Sequence, residues 1–144
     1  MIAVDTNVLV YAHRADSPFH PQARAALAQL ADSGSSWAVP WPSVHELLAV
    51  LTHPRVYRPP TAPEVAAQTV EDLLALPGVL VLGEAGNHWE ILSPLLRRPG
   101  VVGPRVHDAR IAAICLGHGV RELWTADRDF SWFPELPTRN PLVA

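Results

Sequence analysis

Short, continuous apolar runs that alternate with segments of helical spacing constrain this chain more than any other feature. IAV (2–4), WAVP (37–40), VLVL (79–82) and ELWTA (122–126) are too short for buried helices. They also lack the polar–apolar alternation of a strand with one wet face, so they read as strands buried on both sides. Between them, residues 7–13, 20–32, 43–53, 63–76, 85–98 and 106–119 carry apolar residues at helical spacing. PLV (141–143) supplies a short fifth strand. Apolar strands joined by helices specify an α/β fold: a central parallel sheet of four to five short strands, covered by helices on both faces. With 144 residues, the chain fits one domain over 1–144.

Such sheets bind ligands beyond the carboxyl ends of their strands, near the point where the strand order reverses. Asp5 ends the first run, and Asp127 and Asp129 follow the fourth. Glu46 lies in the first turn of the helix after the second run, which faces the same edge. Asp108 lies in the first turn of the last helix and reaches that edge if its loop wraps round to it. Each acid has a structural explanation. Ser43 and Glu46 have the spacing of a capping box, Asp108 suits the positive end of a helix, and Asp5 or Asp127 could cap a turn. Together the acids point elsewhere, because converging carboxylates repel unless a cation sits among them. An all-oxygen set suits Mg2+ or Mn2+, which would also compensate a carboxylate at the end of a buried strand. Such clusters serve phosphodiester cleavage by polarising a phosphoryl oxygen, activating water and stabilising the leaving oxygen. Of Asp127 and Asp129, Asp127 is closer to the strand end and is the expected ligand.

Other chemistries find no support. The single Cys115 excludes an internal disulfide and a Cys-rich zinc site. Seven histidines show no metal-ligand spacing, and neither a P-loop nor a G-x-S-x-G elbow is present. All eleven basic residues are arginine, which removes any mechanism that needs a lysine. The net charge of −3 argues against a strongly basic nucleic-acid-binding surface. Arg97, Arg98, Arg105 and Arg110 flank Asp108 and are candidate phosphate contacts. Trp132 and Phe133 are the best-placed aromatics for stacking on a base. No run of eighteen apolar residues exists, and the N-terminus lacks the positive stretch of a signal peptide, so a cytoplasmic location is expected.

AVDTNVLVYA, SVHELLAVLT, HDARIAAICLGHGV and LWTADRDF, in that order along the chain, resemble the PIN domain. More narrowly, they resemble the VapC-type toxin ribonucleases of bacterial type II toxin–antitoxin modules. The resemblance implies a three-layer α/β/α fold and an acidic pocket for Mg2+ or Mn2+. It places the family's acids on Asp5, Glu46, Asp108 and Asp127, with Thr6, Thr125 and Asp129 beside them. It also implies endoribonuclease action on a structured transfer-RNA or ribosomal-RNA loop by metal-activated water, a VapB-like antitoxin and a homodimer. Two alternatives stand beside it. One is a catalytically silent RNA-binding PIN relative, against which the intact acid set counts. The other is a receiver-like metal-binding signalling module, whose site requires the lysine that this chain lacks.

Overall fold

The computed structural model describes residues 1–143. Its elements run β1 (Ile2–Val4), α1 (Thr6–His13), α2 (His20–Asp32), β2 (Trp37–Pro40), α3 (Trp41–Leu51), α4 (Pro63–Leu74), β3 (Val79–Leu82), α5 (His88–Leu96), α6 (Arg105–Gly117), β4 (Glu122–Trp124) and β5 (Thr138–Arg139), with a 3-10 turn at Arg128–Trp132. The five strands form one sheet in the order β3-β2-β1-β4-β5. Every pairing is parallel. The order reverses between β1 and β4, so the crevice that α/β sheets use for ligands opens at the carboxyl ends of those two strands.

Alternation along the strands builds two cores. Val4 and Val39 join Val8, Leu9, Leu27, Leu47 and Leu73 of the first four helices on one face. Ala3 and Ala38 join Leu95, Ala112, Ile114, Phe130 and Phe133 on the other. Successive strand side chains point to opposite faces, so a strand buried on both sides must be apolar throughout. That accounts for the sequence pattern and gives three layers. Among the described residues, no helix is long and apolar enough to cross a membrane.

Two expectations are corrected. The fifth strand is Thr138–Arg139, not 141–143; Pro141 and Leu142 lie in a turn. Both residues of this edge strand are exposed, so no apolar run marks it. The second correction concerns α3, which starts at Trp41, two residues before Ser43, with Pro42 in its first turn. Proline's fixed φ and missing N–H suit a helix start. Ser43 therefore lies inside the helix, fully buried, and the capping box does not form.

The cores carry a direct test. Ile114 is fully buried, whereas Val65 is 57 % exposed. Ile114→Ala should lower unfolding free energy by about 2–5 kcal/mol in urea titration, and Val65→Ala by less than about 0.5 kcal/mol.

Candidate metal centre

Asp5 is the N-cap residue of α1, immediately after β1. Its backbone N–H continues the β1–β4 ladder by donating to the Trp124 carbonyl at 3.0 Å. Only 4 % of the residue is exposed, so its carboxylate must be satisfied from within. Ser43 Oγ donates to Oδ1 at 3.2 Å. Thr125 Oγ1 donates to Oδ2 at 2.9 Å, and Asn7 Nδ2 reaches the same oxygen at 3.5 Å. Thr125 in turn accepts from the Asp127 N–H at 3.0 Å and from Asn7 Nδ2 at 3.3 Å, which uses its full capacity. Asn7 Oδ1 accepts from the Ala126 N–H at 3.0 Å. The carboxyl ends of β1 and β4 are thus laced together by side chains.

The other acids arrive from three directions. Glu46, one turn into α3, accepts from Thr6 Oγ1 at 3.0 Å. Thr6 orients it, in place of the expected capping box. Asp127 Oδ1 accepts from the Asp129 N–H at 2.8 Å, which caps the 3-10 turn. Asp108 needs no unusual loop. Helix α6 leads into parallel strand β4 and runs back against it, so its first turn starts at the carboxyl edge.

Asp5, Thr6, Asn7, Glu46, Asp108 and Asp127 line one cavity of about 180 Å³. Asp108, Asp127 and Asp129 also offer oxygens that all lie within 4.8 Å of one another. Asp129, expected beside the centre, lies within the same 4.8 Å of Asp108 as Asp127 does. Of the two, Asp127 also lines the cavity with Asp5 and Glu46. Beyond it, a groove of about 450 Å³ is walled by Pro42, His45, His107 and Arg110.

The electrostatics suit a bound cation. Burial, more than any other influence, pushes Asp5 up to about 6, although the Thr6 N–H, Thr125 and Ser43 all favour its charged form. Burial and then the charges of Asp127, Asp5, Asp129 and Glu46 push Asp108 up to about 7. The donor set facing the cavity is all oxygen, as a hard divalent ion prefers.

The four arginines are placed differently from one another. Arg98 pairs with Glu135 at 2.7 Å and Arg110 with Glu84 at 2.6 Å. Arg105 lies over the Trp132 ring. Of the four, only Arg110 lines the acid groove. Phe133 is fully buried and cannot stack on a base. Asn7, Ser43 and the Trp41–His45 pair were missed from the sequence. Asn7 had a signal, since it sits two residues from Asp5 on the same turn. Ser43 read as a cap instead.

These shifts set a pH dependence. A carboxyl group whose folded pKa is raised stays protonated in the folded chain where the unfolded chain has already released its proton. Folding is then favoured most below the ordinary carboxylate range and loses stability as pH rises toward the folded values. For Asp5, moving from 3.8 to about 6 corresponds to about 3 kcal/mol at neutral pH. In EDTA, the melting temperature should fall between pH 4 and 8. Asp108→Asn should flatten that fall. An unchanging melting temperature across this range would contradict the assigned environments.

Comparison with known proteins gives the family. The PIN domain family model matches residues 2–136. Ribonuclease VapC48 of Mycobacterium tuberculosis is 35 % identical over 138 residues, covering 95 % of this chain and 94 % of that protein. Two solved structures superpose with a TM-score of 0.69 each. VapBC2 from Rickettsia felis, bound to a DNA fragment from its promoter, is 19 % identical and covers 97 % of this chain and 98 % of that one. VapC20 of Mycobacterium tuberculosis, a toxin that cleaves the sarcin–ricin loop, is 18 % identical and covers 91 % and 93 %. The chain therefore belongs to the PIN domain family and lies among its VapC ribonucleases.

Proposed function

We propose that this VapC-family ribonuclease toxin cuts an exposed loop of a structured transfer or ribosomal RNA, with Mg2+ or Mn2+ held by Asp5, Glu46, Asp108 and Asp127. One observation carries the reading: four acids from the end of β1, α3, α6 and the segment after β4 line one small cavity at the strand-order reversal. When bound, such an ion polarises a phosphoryl oxygen and activates water for in-line attack. The chain's own residues do the rest. Ser43, Thr125 and Asn7 fix the Asp5 carboxylate. Thr6 turns Glu46 toward the cavity, and the Asp129 N–H holds Asp127. Fixed ligands cost little reorganisation when the cation and the scissile phosphate arrive.

The groove favours single-stranded RNA. Net charge is −3, so bulk electrostatics supplies little affinity. Arg110 and His107 on the groove wall are the nearest positive or polar contacts for neighbouring phosphates. Arg97, Arg98 and Arg105 lie outside the groove lining. Trp41, 41 % exposed, lies 6.1 Å from His45 between ring centroids and offers a face for a splayed base. Loops expose both backbone and bases in this way, whereas duplex hides its bases.

The partner side of the proposal is a VapB-like antitoxin acting with a toxin homodimer in the cytoplasm. A cluster of carboxylates is a natural receptor for an antitoxin guanidinium. The silent-relative reading would need a broken acid set, and a receiver module would need a lysine.

Two experiments test the proposal. Purified protein should cut loop RNA only with added divalent metal. Asp108→Asn should lower the cleavage rate at least about a hundredfold while the protein stays folded. Full activity in EDTA would sink the metal reading. In cells, expression of the toxin alone should arrest growth, and co-expression of a small reading frame adjacent to its gene should restore it. Unhindered growth with active toxin alone would overturn the partner assignment.

A further inference from the structure

Asp108, Asp127 and Asp129 crowd within 4.8 Å but sit on two different segments. Asp108 follows the loop 97–104, and the other two begin the turn after β4. Their charges push those segments apart, so some attraction must hold the two together. Trp132 ends the turn that Asp127 caps, and Arg105 opens the helix that carries Asp108. The Arg105 guanidinium carbon lies 4.2 Å from the Trp132 ring centroid. Arg105 Nη1 donates to the Gly100 carbonyl at 3.1 Å, while its buried Nε has no hydrogen-bond partner. From the same loop, Arg98 Nη1 donates to the Trp132 carbonyl at 2.9 Å and Nη2 to Glu135 at 2.7 Å.

Gly100 completes the arrangement. Its φ is +89°, and a Cβ there would come within 2.7 Å of the indole ring. Only glycine lets the loop backbone lie against that face. On either side of Trp132, Phe130 and Phe133 are buried at 2 % and 0 % exposure. They anchor the turn in the core and leave Trp132 to grip the loop from outside.

We propose that Trp132, Arg105, Arg98 and Gly100 form a clamp that sets the spacing of Asp108 from Asp127 and Asp129 and thereby the metal affinity of the centre. This rests on reading the acid cluster as a metal centre. These are positioning residues: they hold the segments that carry the acids and touch neither ion nor substrate. Two of the four arginines expected to hold phosphates thus serve to assemble the site.

Titration of metal-free protein with Mn2+, read by electron paramagnetic resonance, tests the clamp without any activity measurement. Trp132→Ala should weaken Mn2+ binding about tenfold or more, as outer-shell losses do. Trp132→Phe, which keeps a ring face, should restore most of the affinity. Gly100→Ala should weaken binding as Trp132→Ala does, by driving the indole away, and it provides a second route if Trp132→Ala folds poorly. Leu30→Ala, in the core at the end of α2, should lower the melting temperature yet leave Mn2+ affinity within about twofold. Mn2+ affinity unchanged in both clamp variants would overturn the proposal. No Mn2+ binding by the parent protein would overturn the metal-centre reading itself, which is a different result.

Discussion

Asp5 loses nearly all contact with water at the end of β1, and everything at the carboxyl edge is arranged around that cost. Its oxygens are met by Ser43 from α3, Asn7 from α1 and Thr125 from the end of β4. The same threonine accepts from the N–H of Asp127. One buried carboxylate therefore fixes the relation of three elements, and the next acid is positioned through its partner. The hydrogen bonds favour the ionised form and burial opposes it; burial prevails, leaving the group near 6. A divalent ion would reverse that balance, because opposite charge at short range favours the carboxylate.

The remaining acids occupy the edge for reasons of topology. Strand order reverses between β1 and β4, so the segments leaving those strands diverge and open a crevice. Helix α6 starts at that edge because it must run back to feed a parallel strand. The resulting cluster is unfavourable on its own: burial first, and then the charges of its neighbours, push Asp108 up to about 7. The contact between Arg105 and Trp132 joins the same two segments, and neither residue lines the crevice. Stability is given up where the chemistry needs charge, and the surrounding packing restores it.

Much of this was legible from residue order. The first three strands, IAV, WAVP and VLVL, have the limits read from the sequence, because each is an uninterrupted apolar run, although Leu80 of the edge strand VLVL is 46 % exposed. The acids were legible as residues at element ends. Three features were not. Thr138–Arg139 pairs at a sheet edge with both side chains exposed, so neither apolar character nor alternation reveals it. Ser43 and Glu46 have the spacing of a local cap, but Pro42 moved the helix start upstream and freed both for contacts about forty residues away. Arg98 and Arg105 read as free cations beside Asp108, yet each is held by a loop or turn distant in sequence.

The sequence by itself determined the fold class, the edge at which a ligand binds and the residue types gathered there, because burial and hydrogen bonding impose short-range patterns on it. Tertiary structure alone decided which acids share a cavity, that Glu46 answers to Thr6 rather than to its own helix, and which arginines are spent on holding the site together. Those outcomes depend on distances between segments that local pattern does not encode. A carboxylate or a guanidinium takes whichever partner the packing brings within about 3 Å.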